Sequence, residues 1–286
     1  GRRKSYYPYW FLIPGGLIFA VFFLVPSLIA FYFSLTRWTL FDQEFIGLDN
    51  FRQFFAEPAL ISGLTHTLTY AVVTCGLKVV LGMALALLLT GPIIGRTFLR
   101  SVAFFPVLVS TVGVGIAFQV LMHPTQGAIN QALEVVGISG PGWLVDPKWA
   151  LLSVALVDVW KGVGLATVIF MAGILSIPRE YYEAAKVDGT SGWQAFWHIT
   201  MPLAKPATAS VIILSLIGGL RSFDLIWAMT KGGPGFTSDV MASVIYKQYQ
   251  AGFYGLSTAG NVMLFLLVTV IVIPLFWILN RNGDNS

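Results

Sequence analysis

The stretch PREYYEAAKVDGTSGWQAFWHITMPLAKP, at Pro178–Pro206, is a polar segment between two long apolar runs, and we refer to it as the elbow segment. Pro178 is typical of the first turn of a helix, and Gly189 is typical of the left-handed residue just past a helix end. Ser191 and Gln194 have the spacing of a capping box, which begins a second helix. The sequence therefore predicts two short helices joined by an elbow.

The second helix of the elbow segment is expected to carry an aromatic face. Trp193, Phe196 and Trp197 have i, i+3, i+4 spacing, which places their side chains on one side of a helix. Pro202 is expected to end this helix. We interpret the three rings as an anchor that holds the elbow against the inner ends of the protein's own membrane helices.

Seven positions of the elbow segment follow a fixed spacing: Glu183, Ala184, Ala185, Gly189, Ile199, Met201 and Pro202. This spacing resembles the E-A-A-x3-G-x9-I-x-L-P loop of the membrane subunits of binding-protein-dependent ABC importers. Met201 replaces the leucine of the loop, which is a volume-conserving apolar swap. The resemblance implies a type I ABC importer permease fold, in which this loop is the coupling helix that docks into a cleft of a cytoplasmic ATPase subunit.

In a coupling role, Glu183 and Asp188 are expected to offer charge to basic groups of the ATPase cleft, and Gly189 is expected to set the angle of the elbow. The alternative interpretation is an ordinary amphipathic helix pair lying on lipid.

The composition is that of a protein with several membrane spans. Of the 286 residues, 56% are hydrophobic and 10% are charged, whereas a soluble domain carries about 25% charged residues. We interpret the net charge of +4 as a signal of membrane topology, because the basic residues cluster in loops beside the apolar runs. The lipid bilayer is therefore an expected partner, and nucleic acid is not.

Six apolar runs are each long enough for a helix that crosses the bilayer core, which takes about 20 residues. Pro106 predicts a kink in the third of these spans. We predict an all-α membrane protein with one transmembrane permease domain over residues 1–286, whose elbow segment, residues 178–206, joins spans four and five. The six predicted spans are residues 10–36, 64–90, 97–122, 150–177, 207–230 and 257–279.

The distribution of lysine and arginine predicts the orientation in the membrane. Six spans place both termini on the same side as the elbow segment, and this side carries nine basic residues against five on the other. By the positive-inside rule, the termini and the elbow segment are expected in the cytoplasm, with the chain in a bacterial-type inner or plasma membrane. No G-x-x-x-x-G-K-[ST] motif occurs, so ATP and magnesium are expected in partner ATPase subunits and no cofactor in this chain.

A second resemblance covers the C-terminal third, whose residues follow an F-D…T-x-G-G-P…T…Y…G pattern: Phe223, Asp224, Thr230, Gly232, Gly233, Pro234, Thr237, Tyr246 and Gly260. The pattern is similar to that of carbohydrate-importing ABC permeases, which include maltose-type, other oligosaccharide and glycerol-3-phosphate permeases. Trp160 and Lys161 fit the same group. The resemblance implies as partners a second, different permease subunit, two ATPase subunits, an extracytoplasmic binding protein and a sugar or related polyol.

Gly232, Gly233 and Pro234 predict a sharp turn at the outer end of span five. The resemblance implies that outer loops contact the binding protein, so these three residues are candidates for that contact. The alternative is a plain connecting turn. The loop of 26 residues that follows span five shows no clear helix pattern and is longer than a connection needs.

Ionisable residues inside a span are costly in lipid and normally face a bundle interior or a wet cavity. Asp158 and Lys161 are i, i+3 neighbours on span four, and Arg221 and Asp224 are i, i+3 neighbours on span five. Both pairs are expected at a similar depth, so we expect them to face one polar cavity. Lys78, on span two, has no acidic neighbour along its own helix.

Two interpretations of these charges stay open. In the first, the charges neutralise each other and lock spans four and five together. In the second, some of them line the path of a sugar together with Trp160, Phe223 and Trp227, whose rings stack on the apolar face of a sugar. Asn261 is a further candidate for this lining, and the unmatched Lys78 keeps an anionic substrate such as glycerol 3-phosphate open.

The predicted mechanism is alternating access. ATP-driven closure of the ATPase subunits moves the elbow segment, which moves spans four and five as near-rigid bodies and opens the cavity outward to a docked binding protein. The alternative from another class is an ion-coupled secondary transporter, which is expected to show an inverted repeat and acidic residues at the bilayer midplane. Neither feature is clear in the sequence. No catalytic grouping and no metal-ligand spacing of the three histidines stand out, so the chain is not predicted to be an enzyme.

Overall fold

The structure is a computed structural model that describes residues 9–39 and 41–280. Helices make up most of these residues, as the sequence predicts. In chain order, the α-helices are α1 (Ile13–Phe19), α2 (Val25–Phe33), α3 (Asp49–Ala56), α4 (Pro58–Thr90), α5 (Arg96–Leu108), α6 (Thr111–Leu121), α7 (Ala128–Val135), α8 (Ala150–Leu175), α9 (Arg179–Val187), α10 (Gly192–Ala195), α11 (Met201–Leu203), α12 (Lys205–Leu220), α13 (Asp224–Met229), α14 (Met241–Gln250) and α15 (Tyr254–Asn280).

Shorter elements extend or connect these helices. A 3-10 turn at Tyr9–Leu12 precedes α1, and π-helical turns at Ala20–Leu24 and Phe196–Thr200 continue α1 into α2 and α10 into α11. One antiparallel hairpin pairs β1 (Thr36–Trp38) with β2 (Gln43–Phe45). Within the described residues, the all-α prediction therefore misses only this short hairpin.

Four helical stretches are long and apolar enough to cross a membrane: Trp10–Phe33, Pro58–Thr90, Ala150–Leu175 and Tyr254–Asn280. They coincide with the predicted spans one, two, four and six, apart from shifts of a few residues at their ends. Two further helix pairs reach the required length only when each pair is taken as one bent span. The described residues thus hold four such helices, or up to six.

The third predicted span is not one kinked helix. Helices α5 and α6 meet at 99°, and the break lies at Val109 and Ser110, beyond the expected kink at Pro106. Both break residues leave the helical conformation, with ψ values of 141° and 130°. The prediction of a single span over 97–122 is therefore wrong in its backbone path, because a run of apolar side chains does not reveal where the helical hydrogen bonds stop.

The fifth predicted span is also discontinuous. Helices α12 and α13 are separated by Arg221, Ser222 and Phe223. At its other end, α12 meets the helical stretch Gly192–Leu203 at 70°. The predicted span 207–230 is therefore one helix of four turns, a break, and a short second helix.

Three segments predicted as loops contain helices. Helix α3 lies in the predicted loop 37–63, α7 lies in the loop 123–149, and α14 lies in the loop 231–256, for which no helix was expected. In the loop 123–149, the buried Asn130 accepts a hydrogen bond from the Trp143 indole at 2.6 Å and donates to the Pro124 carbonyl at 2.8 Å. The side chain of Asn130 thus organises this segment from within.

The described residues form two compact units, each made of two stretches: the residues up to Pro58 with Ile245–Phe265, and Ala59–Val244 with the residues from Leu266 onward. In the first unit, the buried side chain of Asn50 on α3 donates to the carbonyls of Ser34 at 2.9 Å and Thr36 at 2.8 Å. These two bonds fasten α3 to the end of α2 and to β1.

The second unit is packed through small residues, which let membrane helices approach closely. A Cβ atom added to Gly82 on α4 would lie 2.8 Å from the Cβ of Ala166 on α8, and one added to Gly115 on α6 would lie 2.5 Å from the Cβ of Ala228 on α13. Two apolar clusters lie along these contacts, the first including Tyr70, Val154 and Ile226 and the second including Met83, Phe170 and Val211.

The α4–α8 contact makes a prediction about stability. Gly82→Leu is expected to lower the free energy of unfolding by about 1–3 kcal/mol, because the added atoms overpack the contact with Ala166. The measurement is thermal unfolding of the purified chain in detergent. Gly76→Leu is the matched control on the same helix, since a Cβ at Gly76 meets nothing within 4 Å. Equal melting temperatures for the two variants would contradict the close packing.

Candidate functional site

The elbow segment has the predicted pair of helices. Gly189, just past the end of α9, has a φ of +76°, which lies in the left-handed region that glycine adopts without steric cost. The backbone N–H of Thr190 donates to the Ala185 carbonyl at 2.9 Å and closes the end of α9. The capping box is complete: the Ser191 N–H donates to Gln194 Oε1 at 2.9 Å, and the Gln194 N–H donates to Ser191 Oγ at 3.3 Å.

The start and the end of the elbow segment differ slightly from the prediction. Pro178 is the N-cap residue of α9 rather than part of its first turn. Pro202 does not end the second helix, which passes through the π-helical turn Phe196–Thr200 and continues to Leu203. Proline lacks the N–H that an α-helix needs at this position, and the wider π-helical turn before it accommodates the missing donor.

The three rings of the aromatic face contact one another but differ in burial. Their centroids lie 5.1–5.8 Å apart. Phe196 packs against the buried cluster that contains Met83 and Phe170. Trp193 and Trp197, in contrast, are 70% and 49% exposed. Within the described chain, only Phe196 fits the predicted anchor.

The polar side of the elbow segment is open to solvent. Glu183 and Asp188 are both exposed, as an electrostatic docking role requires. The two arms of the elbow are joined by a hydrogen bond of 3.0 Å between the hydroxyls of Tyr182 and Thr200. The elbow thus presents charge on one side while its arms are fastened to each other on the other.

The ion pair that the structure shows is not the one expected from sequence. The Lys78 ammonium on α4 donates to Asp158 Oδ2 on α8 at 2.7 Å, and the two side chains are 9% and 23% exposed. The expectation that Asp158 pairs with Lys161, and that Lys78 is left unmatched, is therefore wrong. A Cβ at Gly162 would lie 2.6 Å from Lys78 Cε, so this glycine provides the space that the lysine occupies.

The remaining charges do not form the second predicted pair. Among the residues that the structure describes, Lys161, Arg221 and Asp224 make no ion pair. Arg221 and Asp224 are exposed; Arg221 is the first residue of the break between α12 and α13, and Asp224 is the first residue of α13. Breaking the helix turns these two side chains away from the i, i+3 geometry that a continuous helix would give.

Two residues beside the ion pair were missed by the sequence reasoning. The hydroxyl of Tyr70 is buried and makes no hydrogen bond of standard geometry within the described residues. Its polar neighbours are the side chains of Asp158 and of Ser222, which lies in the break. We refer to Lys78, Asp158, Tyr70 and Ser222 as the polar cluster. Tyr70 and Lys78 are eight residues apart on one helix, a spacing of about two turns, and this signal could have pointed to a shared face.

The predicted aromatic and amide lining residues fall at separate places. Phe223 and Trp227 stack with ring centroids 5.6 Å apart and an interplanar angle of 18°. Trp160 contacts Phe118 at 5.1 Å and is 43% exposed. Asn261 lies in the first compact unit and lines a groove of about 390 Å³ together with α2. Within the second unit, the structure therefore joins Lys78 with Asp158 and Phe223 with Trp227.

The Gly232-Gly233-Pro234 turn is tightly hydrogen-bonded. The Gly233 N–H donates to the Thr230 carbonyl at 2.9 Å, and the hydroxyls of Thr230 and Ser238 lie 2.7 Å apart. Gly233 and Pro234 line a cavity of about 340 Å³. The turn therefore has a fixed shape, as the sequence predicts, and borders a recess.

The ion pair makes a testable prediction about stability. Lys78→Met alone, or Asp158→Leu alone, is expected to lower the free energy of unfolding by about 3 kcal/mol, because each leaves a buried charge without its partner. The double variant is expected to recover most of that loss, since both charges are gone. Unfolding of the four proteins in detergent measures the coupling. Additive losses would contradict a direct ion pair.

Comparisons with known proteins identify the family of the chain. Residues 78–282 match the family model described as "Binding-protein-dependent transport system inner membrane component". The chain is 31% identical over 268 residues to the trehalose/maltose transport system permease protein MalF of Thermococcus litoralis, covering 93% of this chain and 91% of that protein. It is also 31% identical to the arabinooligosaccharides transport system permease protein AraP of Bacillus subtilis, covering 96% and 91% of the two chains.

A solved structure shows the same fold. It is a chain of a bacterial ABC transporter involved in the import of the acidic polysaccharide alginate, with a TM-score of 0.84 and 25% identity over 96% of this chain and 94% of that chain. A second structure of an alginate transporter, in complex with an alginate pentasaccharide-bound periplasmic protein, has a TM-score of 0.83 and covers 97% and 95% of the two chains. The family match over most of the chain, the relatives and this fold together show that the chain belongs to the inner-membrane permease components of binding-protein-dependent ABC transport systems.

Proposed function

We propose that this permease component imports a sugar. It forms half of a translocation pathway with a second permease subunit, receives substrate from an extracytoplasmic binding protein, and is driven by two separate ATPase subunits. The proposal is supported by relatives whose names refer to trehalose, maltose and arabinooligosaccharides, and by a neighbour of the same fold that imports alginate. The main observation in support of the proposal is the elbow at Gly189. A permease without an ATP-binding motif needs a segment through which the ATPase subunits can drive its movement.

The proposed placement has six membrane crossings, with the termini and the elbow segment in the cytoplasm. The four long apolar helices supply four crossings, and the bent pair of α5 and α6 supplies a fifth. Helix α12, followed by α13 beyond the break at residues 221–223, supplies the sixth. The excess of lysine and arginine on the side of the elbow segment supports this orientation. Part of that excess, Arg2, Arg3, Lys4 and Arg281, lies outside the described residues.

The structure suggests a transmission route that differs from the rigid-body movement predicted above. Gly173 on α8 lies so close to α12 that an added Cβ would come within 2.5 Å of Ala207 Cβ, so these two helices move together. Helix α13 is instead packed on α6 through Gly115 and Ala228. A push on the elbow then moves α8 with α12, while the break at residues 221–223 absorbs the difference between α12 and α13.

We place the sugar path at this break. The stacked rings of Phe223 and Trp227 offer a flat apolar surface, and the exposed Arg221 and Asp224 offer hydrogen bonds to hydroxyl groups. Lys78 is excluded from direct charge recognition, because Asp158 already neutralises it. An anionic sugar or a polyol phosphate is the second candidate substrate, and the exposed Arg221 is the observation that favours it.

The elbow provides the first functional prediction. Gly189→Pro is expected to abolish uptake while the complex still assembles, because proline fixes φ near −65° and Gly189 has +76°. Gly192→Pro is the matched control three residues away. Gly192 is the first residue of α10, where proline is tolerated, and Ser191 before it already has the extended conformation that a following proline requires.

Uptake of labelled sugar and ATP hydrolysis are measured together in reconstituted vesicles. The complex with Gly189→Pro should still hydrolyse ATP, but the hydrolysis should no longer drive sugar uptake. The complex with Gly192→Pro should behave as wild type in both measurements. Wild-type uptake by Gly189→Pro would refute the coupling role. Uptake by the permease without any ATPase subunit would favour the secondary-transporter alternative instead.

The stacked rings provide the second functional prediction. Trp227→Ala is expected to raise the KM for sugar uptake about tenfold, equivalent to about 1.4 kcal/mol, since it removes half of the flat surface on which a sugar ring stacks. Trp160→Ala serves for comparison, because Trp160 contacts Phe118 and not this stack. Competition by neutral and anionic oligosaccharides in the same assay identifies the substrate class. An unchanged KM for Trp227→Ala would remove the stack from the path.

A further inference from the structure

The elbow segment and the helices beside it enclose a large apolar groove. It has a volume of about 730 Å³ and is almost entirely lined by apolar surface. Met83 and Phe170 form its buried floor, and the exposed side chains of Val80 and Trp193 form its rim. We refer to this recess as the apolar groove, and the coupling role of the elbow segment does not account for it.

The depth of the apolar groove matches one leaflet of a bilayer. On α4 it extends from Val79 to Leu87, which corresponds to about 12 Å along the helix. Half of the hydrocarbon core of a bilayer is about 15 Å thick. With the elbow segment at the membrane surface, the groove therefore runs from the interface through most of the inner leaflet.

Charge at the mouth of the apolar groove favours an anionic occupant. Tyr182 lines the groove from α9, and the exposed Lys186 follows it at i+4 on the same helical face. Thr208 lines the groove from α12, and Lys205 precedes it at i−3. Helical spacing thus places one lysine on the groove side of each of two helices, at the elbow end of a recess whose interior is apolar.

The rim adds an interfacial signature. Trp193 and Trp197 both line the apolar groove and remain largely exposed in the chain. Tryptophan is enriched at membrane interfaces, where its ring lies at the level of the lipid headgroups. Exposed indoles at the mouth and aliphatic side chains deeper in the groove match the order of polarity along a lipid molecule.

We propose that the apolar groove binds one anionic phospholipid of the inner leaflet. An acyl chain lies along α4 against Val80, Ala84 and Leu87, and the phosphate group lies between Lys186 and Lys205. The bound lipid then contacts α4, α12 and both arms of the elbow, so it stabilises the elbow in the position that this structure shows. The inference rests on the proposed function in one respect, the cytoplasmic placement of the elbow segment.

Photocrosslinking in the assembled transporter tests the site. Val80 is replaced by benzoylphenylalanine, and the complete complex is reconstituted in phosphatidylcholine vesicles with a trace of labelled phosphatidylglycerol or, in parallel, labelled phosphatidylcholine. Leu81 carries the same probe as a matched control, because it is an exposed neighbour on α4 outside the groove. We expect Val80 to capture phosphatidylglycerol in preference to phosphatidylcholine, and Leu81 to capture both equally.

Two sets of variants test recognition of the lipid headgroup separately from recognition of the acyl chain. Lys186→Gln and Lys205→Gln are each expected to reduce the preference for phosphatidylglycerol about fivefold. The control Arg96→Gln, which changes an exposed basic residue on the same proposed side, should leave the preference unchanged. Ala84→Phe fills the groove and should reduce capture of both lipids at Val80. Equal capture of the two lipids at Val80, or capture of a partner permease in place of lipid, would overturn the proposal.

Sugar uptake in the same vesicles separates a failure of the lipid site from a failure of the proposed transport function. Energy-coupled uptake without any preference for phosphatidylglycerol at Val80 would refute the lipid site and leave the proposed function intact. A clear lipid preference in a complex that shows no ATP-driven uptake would support the lipid site and refute the proposed function.

Discussion

The ion pair between Lys78 and Asp158 is the constraint on which the second compact unit depends. Two opposite charges 2.7 Å apart between α4 and α8 fix the register of these helices, since a slip of one residue would leave both charges buried and unpaired. Small residues make the approach possible: Gly162 provides the space for the lysine side chain, and Gly82 lets the two helices meet about one turn further along. The two apolar clusters of the unit follow from this register, because both include residues of α4 and α8.

The same ion pair gives the break in the fifth predicted span a polar neighbour. Ser222 lies between α12 and α13 and beside Tyr70, which in turn neighbours Asp158. Backbone groups that a helix break exposes within a membrane protein need polar surroundings or a wet cavity. A charge pair that is already satisfied supplies such surroundings without offering a free charge. In the proposed transport cycle, the break therefore bends while the α4–α8 contact stays in register.

Local rules were sufficient for the elbow segment but not for the polar cluster. The φ of Gly189 and the Ser191–Gln194 capping box depend on residues three apart or fewer, so the sequence predicted both correctly. The partner of Lys78 is 80 residues away in the chain, and nothing in the neighbourhood of either residue identifies the other. The prediction that Lys161 pairs with Asp158 rested on their i, i+3 helical spacing alone.

The breaks in the predicted spans show a second limit of sequence reasoning. Hydropathy reports which residues tolerate lipid, but it does not report whether the backbone stays helical. At Val109 and Ser110 the chain turns by 99° within an apolar run, with the only proline of that run three residues before the turn. The apolar helices of predicted spans three and five lie at nearly the predicted places, and only their continuity was predicted wrongly.

The two sides of the elbow segment differ in polarity, so one side can face an apolar groove while the other faces solvent. On α9, Tyr182 and Glu183 are adjacent in sequence and therefore point about 100° apart around the helix. The tyrosine faces the apolar groove and bonds Thr200, whereas the glutamate is exposed to solvent. In the proposed placement, a protein that docks on the acidic side leaves the groove side in contact with the membrane. Movement of the elbow then changes the shape of the groove directly, because residues of both elbow arms form its wall.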